Sequence, residues 1–332
     1  MTYSSGGLIE ATDFNTFAGN TTAGLNRVWS TGSGDAGWGQ TAIPTVSANT
    51  VVSVTGAIQW AQLVNVLSTT GAQTTTTITS RTAPVAGNVI SILANVQTDI
   101  NNCTTNRANA TSSGTEVGYA SGTTSKTTAT GSGQTAWTIV FTHTVTFPTA
   151  NQARYFFNAG GRIRLQYGKS STGTDIDPDW NTFAGQPGSL YITGIAAAKT
   201  IAAVSYTGTT RIGGAGGTQT TLSTATGWYA LTGTPATIFQ LNNAASPYTG
   251  EYIQTNASAT ATVLTLTTTW NQPATATVGA TVNISGGTAP ALGATSIGAA
   301  TAPTTLCTFF PPSTAQGLSD SWGTPVIAAS VV

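Results

Sequence analysis

The stretch "TIVFTHTVTF" (residues 138–147) decides the fold. Ile139, Phe141, Val145 and Phe147 alternate with Val140, Thr142, Thr144 and Thr146. A period of two places the first set on one face of a strand and the second on the other. His143 is the only histidine and falls on the apolar side, so it reads as a core imidazole rather than a catalyst. The same alternation continues in "RIRLQY" (162–167), where Arg162, Arg164 and Gln166 point one way and Ile163, Leu165 and Tyr167 the other. "SLYIT", "TIAAVSY", "WYAL", "TIFQL", "EYIQT", "TVLTLTTTW", "ATVNIS" and "LCTFF" extend it toward the C-terminus. Threonine is β-branched and favours the pleat. The pattern predicts a mainly β protein, an antiparallel β-sandwich or open barrel.

The first 110 residues have a different period. Phe14, Phe17, Thr21, Leu25 and Val28 trace one helix face; Trp60, Leu63, Val64 and Leu67 a second; Val89, Ile92, Leu93, Val96, Ile100 and Cys103 a third. "QTTTTITSRTAP" (73–84) reads as a linker between helices. Three parts follow: a small helical N-terminal attachment region (1–110), a Gly/Ser/Thr-rich linker or arm (111–135) and a β-sandwich-like domain (136–332). "DFNTFAG" (13–19) recurs as "DWNTFAG" (179–185), which predicts two local helical turns that each bury a pair of rings.

Charged residues make up 6% of the 332-residue chain, and net charge is zero. An ordinary soluble protein carries roughly 25%. Nothing therefore draws this surface to nucleic acid over long range, and few charges keep copies apart. No apolar run is long enough to span a membrane, and the start "MTYSSGGLIEATDF" has no secretory pattern. Cys103 and Cys307 read as separate buried thiols, and one His with two Cys makes no zinc set. "GSGDAGWG" (32–39) matches a dinucleotide fingerprint only in letters, because it does not follow a strand; it reads as a glycine-permitted loop around Trp38. No cofactor is expected. No acid pair or nucleophile with its base can be assembled, so no enzyme activity is expected either.

Cations and rings concentrate in "ARYFFNAGGRIRLQYG" (153–168). Arg154, Tyr155, Phe156 and Phe157 read as a strand, Gly160 and Gly161 as a tight reversal, and Arg162 and Arg164 as the start of the returning strand, a hairpin and candidate interface. Asp175, Asp177 and Asp179 in "DIDPDW" are candidate partners for these arginines, or a weak metal candidate. Trp228 and Trp270 are candidate platforms for stacking a host surface polysaccharide.

Six segments, in order, resemble a family of virion structural proteins of tailed bacteriophages, often labelled tail fibre or tail-associated protein. They are "YSSGGLIEATDFNTFAG", "VWSTGSGDAGWGQ", "VTGAIQWAQLVNVL", "ILANVQTDINNCTTNRANA", "TVTFPTANQARYFFNAGGRIRL" and "FFPPSTAQGLSDSWGTPVI". Residues 195–300 carry no part of the likeness. The resemblance implies a structural part of a phage particle, made in the host cytoplasm and held by other virion proteins. It implies a homo-oligomer, a trimer or another symmetric assembly, and carries no catalytic residues. The alternatives are a receptor-binding module for host glycan and a head decoration or neck protein.

Overall fold

The computed structural model describes residues 11–47, 59–82, 95–117, 123–125, 137–169, 176–245, 249–273 and 303–332. The helices are α1 (Ala11–Ala18), α2 (Asn26–Trp29), α3 (Gln59–Gln73), α4 (Val96–Thr105), α5 (Ala150–Asn158) and α6 (Ile176–Ala184). The strands are β1 (Thr123–Ser125), β2 (Trp137–Thr146), β3 (Arg162–Gly168), β4 (Ser189–Ile192), β5 (Lys199–Ile201), β6 (Val204–Tyr206), β7 (Thr209–Ile212), β8 (Thr218–Leu222), β9 (Ala236–Asn242), β10 (Tyr252–Ala259), β11 (Val263–Gln272), β12 (Thr304–Phe310) and β13 (Val326–Val331). The fold is mainly β, as the sequence predicts, and its described sheets are sandwich-like with no closed barrel. One sheet runs β1-β12-β3-β4-β7 and the other β13-β2-β11-β10-β9-β8, with every pairing antiparallel.

The decisive stretch is β2, between β11 and β13. Ile139, Phe141, His143 and Val145 are buried, as the alternation requires. Ile139, Phe141 and Val145 share a core with Ile163, Leu165, Leu190, Ile192, Cys307 and Phe309 of the facing sheet. Polar bonds join the layers: Tyr167 Oη lies 2.8 Å from Thr255 Oγ1, and Trp270 Nε1 donates to Thr305 Oγ1 at 3.3 Å. Both groups would be costly to bury without partners.

The hairpin expected over 153–168 is instead a helix followed by a strand. Tyr155, Phe156 and Phe157 lie on α5, and only Arg162 and Arg164 lie on a strand. Thr149 caps the helix, its Oγ1 accepting from Gln152 N at 3.1 Å. "TANQ" (149–152) is thus a capping-box pattern, a local signal strong enough to override the ring content that suggested a strand. The rings do enter the core, as expected. Gly160 turns the chain at φ +113°, and a Cβ there would sit 2.4 Å from Ala110 O.

In the N-terminal region the first expected helix is broken into α1 and α2. Phe14, Phe17, Leu25 and Val28 are all buried, but the chain folds back so tightly that a Cβ on Gly24 would meet Gly19 O at 2.1 Å. The second expected helix is α3. The third begins at Val96, and its expected part before residue 95 lies outside the described residues. The "QTTTTITSRTAP" segment is stitched to α4, where Asp99 Oδ2 takes Arg81 Nη2 at 2.6 Å and Thr79 N at 3.1 Å. "WYAL" contains a 3₁₀ turn rather than a strand, and "ATVNIS" lies outside the described residues. Phe14, Phe17, Trp60, Leu63, Val96, Ile100 and Cys103 form a second apolar cluster, with Trp29 packed against both clusters. The echoed motif behaves as expected: Phe14 and Phe17 on α1, Trp180 and Phe183 on α6, are all buried. Residues 112–117, expected to be a linker or an arm, bridge to β12's C-terminal end through Ser112–Pro312 and Val117–Phe309. No described helix is long and apolar enough to cross a membrane.

Candidate functional site

The glycine loop 32–39 is the first wall of a cleft. It wraps Trp38, whose Nε1 donates to Asn158 O at 3.0 Å, across to the end of α5. Gly39 carries no Cβ because one would sit 2.3 Å from the Tyr155 ring. Asn158 Nδ2 donates back to Gly34 O and Gly37 O, both at 3.2 Å. The Tyr229 hydroxyl lies between Gly34 O at 2.7 Å and Asn158 Oδ1 at 2.8 Å. The second wall is the 3₁₀ turn Asn106–Asn109 that follows α4, against which β5 packs. Arg107 Nη2 reaches Asp35 Oδ2 at 2.6 Å, so turn and loop are tied by an ion pair. The enclosed space between is small, about 20 Å3, open to solvent on one side, and lined by Asp35, Arg107, Phe157, Asn158, Thr193 and Lys199.

Lys199 is the unusual member. It is 5% exposed, and among the described residues its ammonium has no hydrogen-bond or ion-pair partner. Burial, and secondarily the charge of Arg162, pull its pKa down to about 7. Its hairpin, β5–β6, folds over the outer face of β3 and buries Ile201 and Tyr206 with Tyr191 and Phe310 in a small cluster of their own.

Arg162 lies in that cluster. Its guanidinium carbon is 4.2 Å from the Phe310 ring centroid, 4.7 Å from that of Tyr206 and 5.7 Å from that of Tyr191. Its Nη1 donates to Ser112 Oγ. Rings of this kind attract a desolvated guanidinium through their negative faces. Arg164 pairs with Glu116, whose other oxygen accepts from Thr308 Oγ1. Among the described residues the partners of these two arginines are Ser112, Glu116 and rings. The 112–117 segment supplies the nearest polar groups, a contact invisible in sequence order. Asp175 and the side chain of Asp177 lie outside the described residues. Arg154 is no strand residue: it binds the loop carbonyls of Thr31, Gly34 and Ala36.

Asp179 joins a different cluster, which sequence reasoning missed. Asn243 Nδ2 donates to Asp179 Oδ2 at 2.6 Å and to Glu251 Oε2 at 2.8 Å. Glu251 is fully buried, and burial, with the Asp179 carboxylate beside it, pushes its pKa well above the carboxyl range. Two carboxyls this close share a proton rather than both ionise. No group of three or more metal-ligating His, Cys, Asp or Glu occurs among the described residues.

Trp228 and Trp270 are not exposed platforms. Trp270 is 0% exposed, edge-on to Phe141 and tilted over Trp180. Trp228 is 8% exposed and stacks on Phe157 at 5.2 Å between centroids. Both sit on the inward side of their elements, where the apolar period already has a place for a ring. The described structure thus offers one cationic cleft, one caged arginine and one acid pair. No protein-family model, no curated protein and no solved structure matches this chain.

Proposed function

We propose that this chain is a structural component of a bacteriophage virion, associated with the tail and acting by assembly with copies of itself and with other virion proteins. One observation carries the reading beyond the sequence likeness. The six strands β8, β9, β10, β11, β2 and β13 contain no Asp, Glu, Lys or Arg. The outer face of this sheet is a ladder of uncharged groups. Thr142 and Thr144 stand opposite Thr267 and Thr265, which stand opposite Asn256 and Ser258. Covering such a face strands no desolvated charge, and interface cores are depleted in charged residues for that reason. The edge strand β13 has none of the lysines that keep an edge from pairing. Meanwhile Arg81, Arg107, Arg162 and Arg164 are engaged inside the molecule.

Electron cryomicroscopy of purified particles tests the reading, alongside light scattering on the recombinant chain. The expected result is density for this sandwich at the tail in several symmetry-related copies, and an oligomer in solution. A chain that stays monomeric and is missing from purified particles sinks it.

A further inference from the structure

Lys199 is held by β5 at the floor of the cleft, 5% exposed. A buried ammonium is costly unless an opposite charge meets it. The charged and titratable groups around it come from four elements: Arg107 on the 3₁₀ turn, Asp35 on the glycine loop, Arg162 on β3 and Tyr206, its register partner, on β6. Of these only Asp35 is acidic, and it is bound to Arg107. That pair cancels, and of the two cations left without an ion pair, Lys199 and Arg162, the latter is enclosed by rings and only Lys199 lines the cleft.

We propose that the cleft is a binding site for a small carboxylate, with Lys199 as its counter-cation. The opening gives access from solvent, and the enclosed space of about 20 Å3 leaves room for a carboxylate head group and no more, with the rest of the molecule at the opening. One uncompensated cation on the lining of the cleft matches a monoanion. A phosphate monoester approaches two negative charges at neutral pH, and the Asp35 carboxylate at the wall would repel the second. The carboxylate can belong to a free small acid or to an acidic sugar; the cleft recognises the group they share. The inference does not depend on the virion reading, and either can fail alone.

The test is calorimetric titration of the full chain with acetate, glucuronate and inorganic phosphate at matched ionic strength, from pH 6 upward. Binding needs the protonated amine, whose pKa is lowered to about 7 by burial. Carboxylate affinity should therefore fall roughly tenfold per pH unit above that point. Saturable acetate binding supports a free small acid; glucuronate binding without acetate supports an acidic sugar. Lys199→Met should abolish both while circular dichroism shows the fold retained. In the wild-type chain, bound carboxylate should slow reductive methylation of Lys199, read by peptide mass spectrometry, which needs no variant. The proposal is overturned by no saturable carboxylate binding at pH 6, by binding unchanged in Lys199→Met, or by phosphate binding as tightly as either carboxylate.

Discussion

Lys199 and Glu251 pull the pH dependence of stability in opposite directions. Burial lowers the Lys199 pKa to about 7, while in the unfolded chain an amine keeps its proton up to about pH 10. Between those values the unfolded state binds more protons, so stability rises with pH. Glu251 is raised by burial and by Asp179, so the folded state keeps a proton that the unfolded chain gives up above about pH 4.3. From there stability falls as pH rises. Below neutrality only the acid pair contributes; above it the two slopes offset each other. Urea unfolding across pH 5.5 to 9 should therefore show wild-type stability falling toward about pH 7 and then flattening. Glu251→Gln should leave a rising limb above neutrality. Lys199→Met should leave only the falling one and add about 2 kcal/mol at neutral pH by removing a desolvated amine. Identical slopes in the two variants would show that neither group titrates as described.

The β5–β6 hairpin that carries Lys199 turns through Ala202 at φ +50° and Ala203 at φ +66°. A two-residue loop between antiparallel strands favours positive φ at both positions, which is why Asn-Gly is its usual sequence. Alanine there costs roughly 1–2 kcal/mol in backbone strain. Ala203→Gly should stabilise the chain by about 1 kcal/mol, after the extra chain entropy of glycine is subtracted. A lower urea midpoint for that variant would mean the turn is not in this conformation. "TIAAVSY" was legible as strand but not as two strands, because Ala-Ala is no turn signal. Elsewhere the elements that follow one clean period, β2, β3, β9, β10, β11, β12 and α3, stand where the sequence puts them. Those that fail do so where a local device competes: the Thr149 cap turns an aromatic run into α5, and the Gly19–Gly24 approach splits one apolar stripe into α1 and α2. β7, β8 and β13 went unread because "TTRI", "TQTTL" and "VIAASV" lack a long alternation between apolar and polar residues.

At the scale of the molecule, the sandwich was legible and the cleft was not. Alternation is a property of neighbouring residues. The cleft joins Asp35, Arg107, Asn158 and Lys199, brought together only when the glycine loop, the 3₁₀ turn, α5 and β5 meet. The N-terminal helices and the sandwich are also fastened at a second place. Gln40 Nε2 donates to Ser319 O at 2.9 Å, and Gln40 Oε1 accepts from Ser319 N at 2.8 Å. Such a junction predicts that the two apolar clusters open together. Each cluster contains one free thiol, Cys307 in the sandwich core and Cys103 in the helical cluster, both fully buried. Burial raises the Cys103 pKa to about 12 and that of Cys307 further. Neither should react with a disulfide reagent in the native protein, since the thiolate is the reactive form. Under mild denaturant both should become modified at the same rate; a much faster Cys103 would show the helical part detaching first. Nature has thus left the chain with a matched pair of internal clocks, one per compartment, and their synchrony can be read by mass spectrometry without a single engineered label.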